Sequence, residues 1–372
     1  MKQYTLTISR LITGAVFVFS GFVKGVDPLG TAYKLEDYFA AYGMLWANDL
    51  SLFLSILLCT IEFSIGMALL LKFKPRLTAW ALLLMMIFFT LLTFYDALYA
   101  PVPDCGCFGD AIKLTNWQTF YKNIVLLVFT VVVFRHRQTK KNSFSVLSWT
   151  PILLIFGIFA SFSWFNYRHL PMIDFRPWKV GNQMNGDPSA ETKVFLSYRH
   201  KVTGELKEYQ SPDYPWNDSS WIANWEFVDQ RFETDKPLIA HNLVAEDSMG
   251  NDLTYNILES PVVFVLVAYD LNSTTNKGKQ KMVRLVDDIQ KLEANHYVIT
   301  ASLPDEADSF LQKLSIQSDL LFADEVVLKT MIRSNPGLVL FNKGKVIAKW
   351  HYNDFPNALE LKELIEELRD TK

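Results

Sequence analysis

Pro103-Asp104-Cys105-Gly106-Cys107-Phe108-Gly109 holds two of the chain's three cysteines and lies between two long apolar runs, which puts it at a membrane surface. One residue between the sulfurs allows only a very small disulfide ring. Such a ring is strained, and strained disulfides are the more oxidising, labile kind. No lysine or arginine occurs from Val102 to Ala111. The loop is therefore apolar to acidic, and its own sequence does nothing to lower a thiol pKa. Four readings stay open. A working dithiol/disulfide is one. A zinc half-site is another, although it needs about four N/S ligands and no histidine lies nearby, so no metal is assigned. A passive disulfide would enclose almost no chain and stabilise little. The fourth is a tight glycine turn with two inert thiols.

The two cysteines organise the half of the chain around them. Apolar residues concentrate before about residue 166 and polar ones after it, so the 372 residues divide into a membrane half and a soluble half. A net charge of −3 gives no footprint for nucleic acid, which is excluded as a partner; membrane lipid is implied. Five runs approach spanning length: Tyr4–Val23, Leu50–Leu71, Leu77–Leu98, Trp117–Phe134 and Val146–Phe165. The first reads as a retained helix, because Phe22-Val23-Lys24 makes a poor cleavage site. Lys72, Lys74 and Arg76 crowd one link; Arg135, Arg137, Lys140 and Lys141 crowd another. The remaining links carry Asp27, Glu36, Asp37 and Asp49, then Asp96, Asp104 and Asp110. The positive-inside rule predicts a bacterial inner-membrane protein with five transmembrane helices, a cytoplasmic N-terminus, and a periplasmic cysteine loop and C-terminal domain. A dithiol on that side can stay oxidised.

Within the spans, Thr115 and Gln118 have capping-box spacing at the start of the fourth helix. Gly14, Ser20, Gly21, Ser64 and Gly66 would let the first two helices approach closely. Arg10 and Glu62 are intramembrane charges and hence functional candidates, with a structural Arg10–Glu62 pair as the plainer expectation. Cys59 reads as a small apolar filler.

Arg10, Gly14, Phe19-Ser20-Gly21-Phe22-Val23-Lys24, Glu62, Gly66 and Cys105-Gly106-Cys107-Phe108-Gly109 together resemble the DoxX/MauE family over residues 1–138. The resemblance implies a four-helix membrane bundle associated with thiol or sulfur redox chemistry in the envelope. In the MauE branch it implies maturation of disulfide-containing periplasmic proteins.

Beyond a fifth helix and connector (139–180), a β-rich segment (181–236) contains a strand at Val194–Tyr198 and the tryptophans Trp216, Trp221 and Trp225, which suit packing. Residues 237–372 alternate strands and helices. A hairpin (Leu238–Val244, Gly250–Thr254) precedes a buried strand at Pro261–Ala268. A helix at Lys279–Glu293, a strand at Tyr297–Ala301, a helix at Asp305–Leu314, a hairpin (Leu338–Phe341, Val346–Trp350) and a closing helix at Ala358–Leu368 follow. This order resembles the thioredoxin fold of periplasmic thiol–disulfide proteins, with Ser334-Asn335-Pro336-Gly337 where that family carries its cis-proline loop. Tyr269-Asp270-Leu271-Asn272-Ser273 stands where its Cys-x-x-Cys would be, and no cysteine follows Cys107. The domain therefore cannot exchange disulfides itself, and Asn335 and Pro336 become candidates for holding a client strand. The whole order is similar to DoxX-type proteins of Bacteroidota envelopes.

The fold class expected is a multi-domain membrane protein: an all-α transmembrane four-helix bundle plus one extra helix, a small β-rich segment, and an α/β thioredoxin-like domain. The function expected is thiol–disulfide redox chemistry, with Cys105 and Cys107 as catalytic residues and an extracytoplasmic client or redox partner. No motif demands a cofactor; a membrane quinone is the class this reading admits. A non-enzymatic scaffold or client-binding maturation factor is the alternative. A small-solute transporter lacks support, because there is one deep acidic residue and no repeat of broken helices.

Overall fold

Backbone hydrogen bonding drives apolar segments into helices inside a lipid phase, since nothing else can satisfy their amides. The computed structural model contains five helices long and apolar enough to cross a membrane. It describes residues 2–102, 106–137, 149–185, 192–210, 213, 215, 218–234 and 243–370. Cys105, Trp216, Lys140, Lys141 and most of the expected strand Leu238–Val244 lie outside the described residues. The chain divides into two compact units.

The first unit comprises Met1–Arg176, Met331–Gly337 and Trp350–Phe355. Its helices are α1 (Lys2–Val26), α2 (Pro28–Ala41), α3 (Ser51–Leu70), α4 (Pro75–Tyr99), α5 (Asn116–Arg135) and α6 (Thr150–Arg168). A 3₁₀ turn at Leu45–Leu50 leads into α3. The expected small residues do bring α1 onto α3. A Cβ on Gly21 would lie 2.6 Å from the Phe63 amide nitrogen, and one on Gly66 2.6 Å from that of Val18. Neighbouring turns fill with Phe17, Ile65, Leu69, Leu82, Met86 and Leu126. The expected capping box is present: the Gln118 amide donates to Thr115 Oγ1 and the Thr115 amide to Gln118 Oε1.

Helix α2 forms where only a link is expected. Its N-terminal signal is Asp27-Pro28, in which the Asp27 carboxylate accepts from the Gly30 amide at 2.9 Å and proline occupies the first helical turn. Tyr38 of α2 donates to Asp96 of α4 at 2.6 Å, which accounts for an acid inside a span.

The second unit comprises Pro177–Thr330, Leu338–Lys349 and Pro356–Lys372. Strands β1 (Thr192–His200), β2 (Leu206–Gln210) and β3 (Trp225–Thr234) form an antiparallel sheet ordered β2-β1-β3. The short helix α7 (Ser219–Asn224), capped by Asp218, precedes β3. Trp221 stacks on Trp225 and meets Tyr198 edge-on, as expected for packing residues. Where a strand is expected at Gly250–Thr254, a bridge joins Glu246 to Asp252 and helix α8 (Thr254–Glu259) follows.

A five-stranded sheet ordered β6-β5-β4-β7-β8 is built from β4 (Val263–Val267), β5 (Asn295–Thr300), β6 (Asp319–Phe322), β7 (Gly337–Asn342) and β8 (Lys345–His351). Strands β4, β5 and β6 are parallel. Strand β4 is buried throughout, as a parallel strand covered on both faces must be. Helices α9 (Asn276–Lys291) and α10 (Pro304–Leu314) make the crossovers; α11 (Glu325–Met331) precedes β7, and α12 (Ala358–Asp370) closes the chain. Three parallel strands, a hairpin, and an X–Pro turn entering β7 are the thioredoxin-like arrangement. The short β6 and α11 carry too little periodicity to stand out in the sequence.

Candidate functional site

Gly106 and Gly109 both adopt left-handed backbone, at φ +62° and +51°, and curl the cysteine loop so that the Gly109 amide donates to the Gly106 carbonyl at 3.0 Å. Asn116 at the start of α5 holds the loop's other end by donating to the Val102 carbonyl at 3.2 Å. Phe108 packs on Phe19 at 5.5 Å between centroids, and Lys122 of α5 places its ammonium 4.4 Å from the Phe108 ring centroid. Cys107 is half-buried.

Beneath the loop lies a buried ion pair that sequence reasoning missed. Lys24 Nζ donates to both oxygens of Glu62, at 2.7 and 2.8 Å, with side chains 7% and 3% exposed. Ser20 Oγ lies 3.0 Å from Glu62 Oε2 and 2.8 Å from the Cys107 carbonyl oxygen. Ser20 and Lys24 are four residues apart, on one face of α1. Ser20 thus links the backbone of Cys107 to the carboxylate that Lys24 neutralises. Cys59 is fully buried, three residues before Glu62. The fold thus brings a buried ion pair and a hydroxyl to a loop whose own sequence carries no basic residue.

The expected Arg10–Glu62 pair does not form. The close α1–α3 register sets Gly21 on Cys59 and Phe63, and Gly14 on Gly66 and Leu70, so Ser20 and Lys24 are the residues that reach Glu62. Arg10 lies further along and donates to the Leu69 and Leu70 carbonyls at 3.0 and 3.3 Å, among the unsatisfied oxygens at the end of α3. The signal for Lys24 is the i,i+4 spacing of Ser20 and Lys24 in an otherwise apolar run.

The Asn335–Pro336 bond is cis. Pro336 is buried and Asn335 half-buried. Ser334 Oγ accepts from the Tyr352 amide at 3.0 Å and donates to the Pro336 carbonyl. Arg333 Nε lies 2.9 Å from Asp27 Oδ2, and Nη2 lies 3.2 Å from Asp110, three residues after Cys107. Burial alone would raise the Asp27 carboxyl, but the charges of Arg333 and Arg176 and the Gly30 amide outweigh it and hold the carboxyl below its usual range. Burial likewise works against the Arg333 charge; Asp27, Tyr33 and Asp110 overcome it and raise the guanidinium above its ordinary value. Among the described residues no three His, Cys, Asp or Glu side chains converge as metal ligands.

Residues 2–135 match the family described as methylamine utilisation protein MauE. None of the curated proteins compared matches the chain. Among solved structures, the chain is similar to a thiol:disulfide interchange protein from Bacteroides sp., 14% identical, covering 34% of this chain and 84% of that one at a TM-score of 0.28. It is similar to a putative protein disulfide isomerase from Bacteroides thetaiotaomicron, 16% identical, covering 34% and 85% at a TM-score of 0.28. It is also similar to the bacterioferritin comigratory protein of Xanthomonas campestris, 13% identical, covering 36% and 95% at a TM-score of 0.27. The N-terminal region, residues 2–135, is a MauE-family membrane domain, and a β-containing region follows it in the same chain.

Proposed function

We propose that this chain is an envelope thiol–disulfide redox protein of the bacterial inner membrane, with the cysteine loop and the thioredoxin-like part on the periplasmic side. Cys105 and Cys107 cycle between dithiol and disulfide and exchange an electron pair with an extracytoplasmic protein during its oxidation or maturation. The observation that carries this reading is the seating of Cys107. Its carbonyl is held by Ser20 directly above a buried Lys24–Glu62 pair, inside a MauE-family domain. Buried charges are costly in lipid and mark functional sites by default. The absence of cysteine after Cys107 leaves this loop as the place in the given sequence where two neighbouring cysteines can carry dithiol chemistry. A membrane quinone fits as the second electron partner. A quinone takes or returns two electrons with two protons, which matches one dithiol/disulfide cycle.

Thiol trapping in membranes tests the reading. Cys105 and Cys107 should be recovered as a reversible dithiol/disulfide, and Cys107→Ser or Cys105→Ser should capture a mixed-disulfide partner through the remaining thiol. If both serine variants retain full function in cells, the redox role falls and a non-enzymatic scaffold takes its place.

A further inference from the structure

A cysteine attacks a disulfide only as its thiolate, and in a half-apolar loop the thiolate needs a cation or donor to form near neutral pH. The local sequence supplies neither, since no basic residue lies from Val102 to Ala111. Tertiary structure brings a hydroxyl and an ammonium of α1 to the base of the loop. Ser20 lies 2.8 Å from the Cys107 carbonyl oxygen and 3.0 Å from Glu62. Lys24, one turn further, is 2.7 Å from the same carboxylate. Ser20 has one hydroxyl hydrogen and two acceptors in reach, so it serves the loop or the carboxylate, but not both at once.

We infer that Lys24 is the residue that makes Cys107 the nucleophilic cysteine: its buried ammonium stabilises the Cys107 thiolate, Glu62 restrains that charge, and Ser20 holds the loop at the distance where it acts. This deepens the redox reading of the same loop and rests on it for its biological purpose. In the step, Cys107 Sγ⁻ attacks one sulfur of a partner's disulfide. The Cys107–partner S–S bond forms as the partner's own S–S bond breaks, and the departing sulfur leaves as a thiolate that takes a proton from water. The other charged or titratable groups described near the loop or the ion pair are Cys59 on α3, Lys122 over Phe108, and Asp110, which is engaged by Arg333.

The test is the pH profile of iodoacetamide alkylation of Cys107, in full-length protein in detergent carrying Cys59→Ala and Cys105→Ser. The midpoint should fall below the value of about 8.5 for an unperturbed cysteine. Lys24→Met combined with Glu62→Gln, which removes both charges together, should slow alkylation at pH 7 about tenfold or more, since each unit of upward shift leaves a tenth of the thiolate. Glu62→Gln alone should speed it, and Lys24→Arg should preserve it within about threefold because the cation remains. A purely structural role for the pair would slow all three alike. A parent midpoint at or above the ordinary value, an unreactive Cys107, or an unchanged profile in the double variant overturns the inference. The redox reading fails separately. Full function in the cysteine-to-serine variants removes that role even when Cys107 reactivity follows Lys24.

Discussion

Lys24 and Glu62 are a pair whose members cannot be separated cheaply. Each is nearly inaccessible to water, and each offsets the other's desolvation. Removing one member by Glu62→Leu or Lys24→Met strands a charge and should cost about 3–5 kcal/mol. Removing both should cost clearly less than the sum of the two. Thermal unfolding of the single and double variants in detergent measures the difference, and simple additivity would mean the ion pair contributes nothing. Asp27 gives a pH signature. Its folded carboxyl is held below its usual range by Arg333 and Arg176, so the unfolded chain binds its proton more readily. Asp27 therefore stabilises fully above the unfolded pKa of about 3.9, and that contribution is lost as the pH falls through the lower folded value. The melting-temperature gap between the parent and Asp27→Asn should be constant near neutrality and narrow below about pH 4. A gap that widens on acidification would reverse the assignment.

The α1–α3 contact decides what sits beneath the cysteine loop. Glycine at 21 and 66 lets the two backbones touch, and this sets the register that places Ser20 and Lys24 opposite Glu62. Gly21→Ala puts a carbon 2.6 Å from a backbone nitrogen, a contact that no rotamer relieves. It should destabilise by about 1–3 kcal/mol, as overpacking does. A Cβ added at Gly157 in α6 would meet nothing within 4 Å. Gly157→Ala should therefore be neutral or stabilise by up to about 1 kcal/mol through helix propensity. Parallel melts of the two variants in one detergent separate close approach from a general intolerance of larger residues in the helices. Helix α2 illustrates the opposite case, since its cap lies in the sequence as Asp27-Pro28 but its short amphipathic stretch does not stand out beside runs of spanning length.

Across the whole chain, the basic links around Lys72–Arg76 and Arg135–Arg137 alternate with acidic ones. On the positive-inside rule, an alkaline phosphatase reporter fused after Lys179 should be active outside the cytoplasm and a fluorescent cytoplasmic reporter there should fail. The reverse pattern would invert the orientation and put the cysteine loop in a reducing compartment. Arg333 acts on the same scale, because it joins residues more than two hundred positions apart in sequence through Asp27 and Asp110. Arg333→Gln should lower stability by about 1–3 kcal/mol, since it leaves half-buried Asp27 without its nearest cation. A melt unchanged by this substitution would show that Arg176 alone suffices.

Local signals were enough for several features of this protein. Hydropathy run length marked the five spans, capping chemistry marked the start of α5, and the alternation of buried strands and amphipathic helices marked the thioredoxin-like part. Each depends on residues a few positions apart, where a single chain segment carries the whole physical cause. The partner of Glu62 depended instead on helix register. Arg10 and Lys24 are both basic residues on α1, and only the close glycine-mediated approach of α1 to α3 selects Lys24. The burial of Pro336 and the grip of Arg333 on Asp110 were likewise illegible, because long-range ion pairs leave no periodic trace in sequence. The surroundings of Cys107 follow the same logic: the loop's own residues are apolar and acidic, and Ser20 and the Lys24–Glu62 pair come from α1 and α3, which only the tertiary fold brings to it.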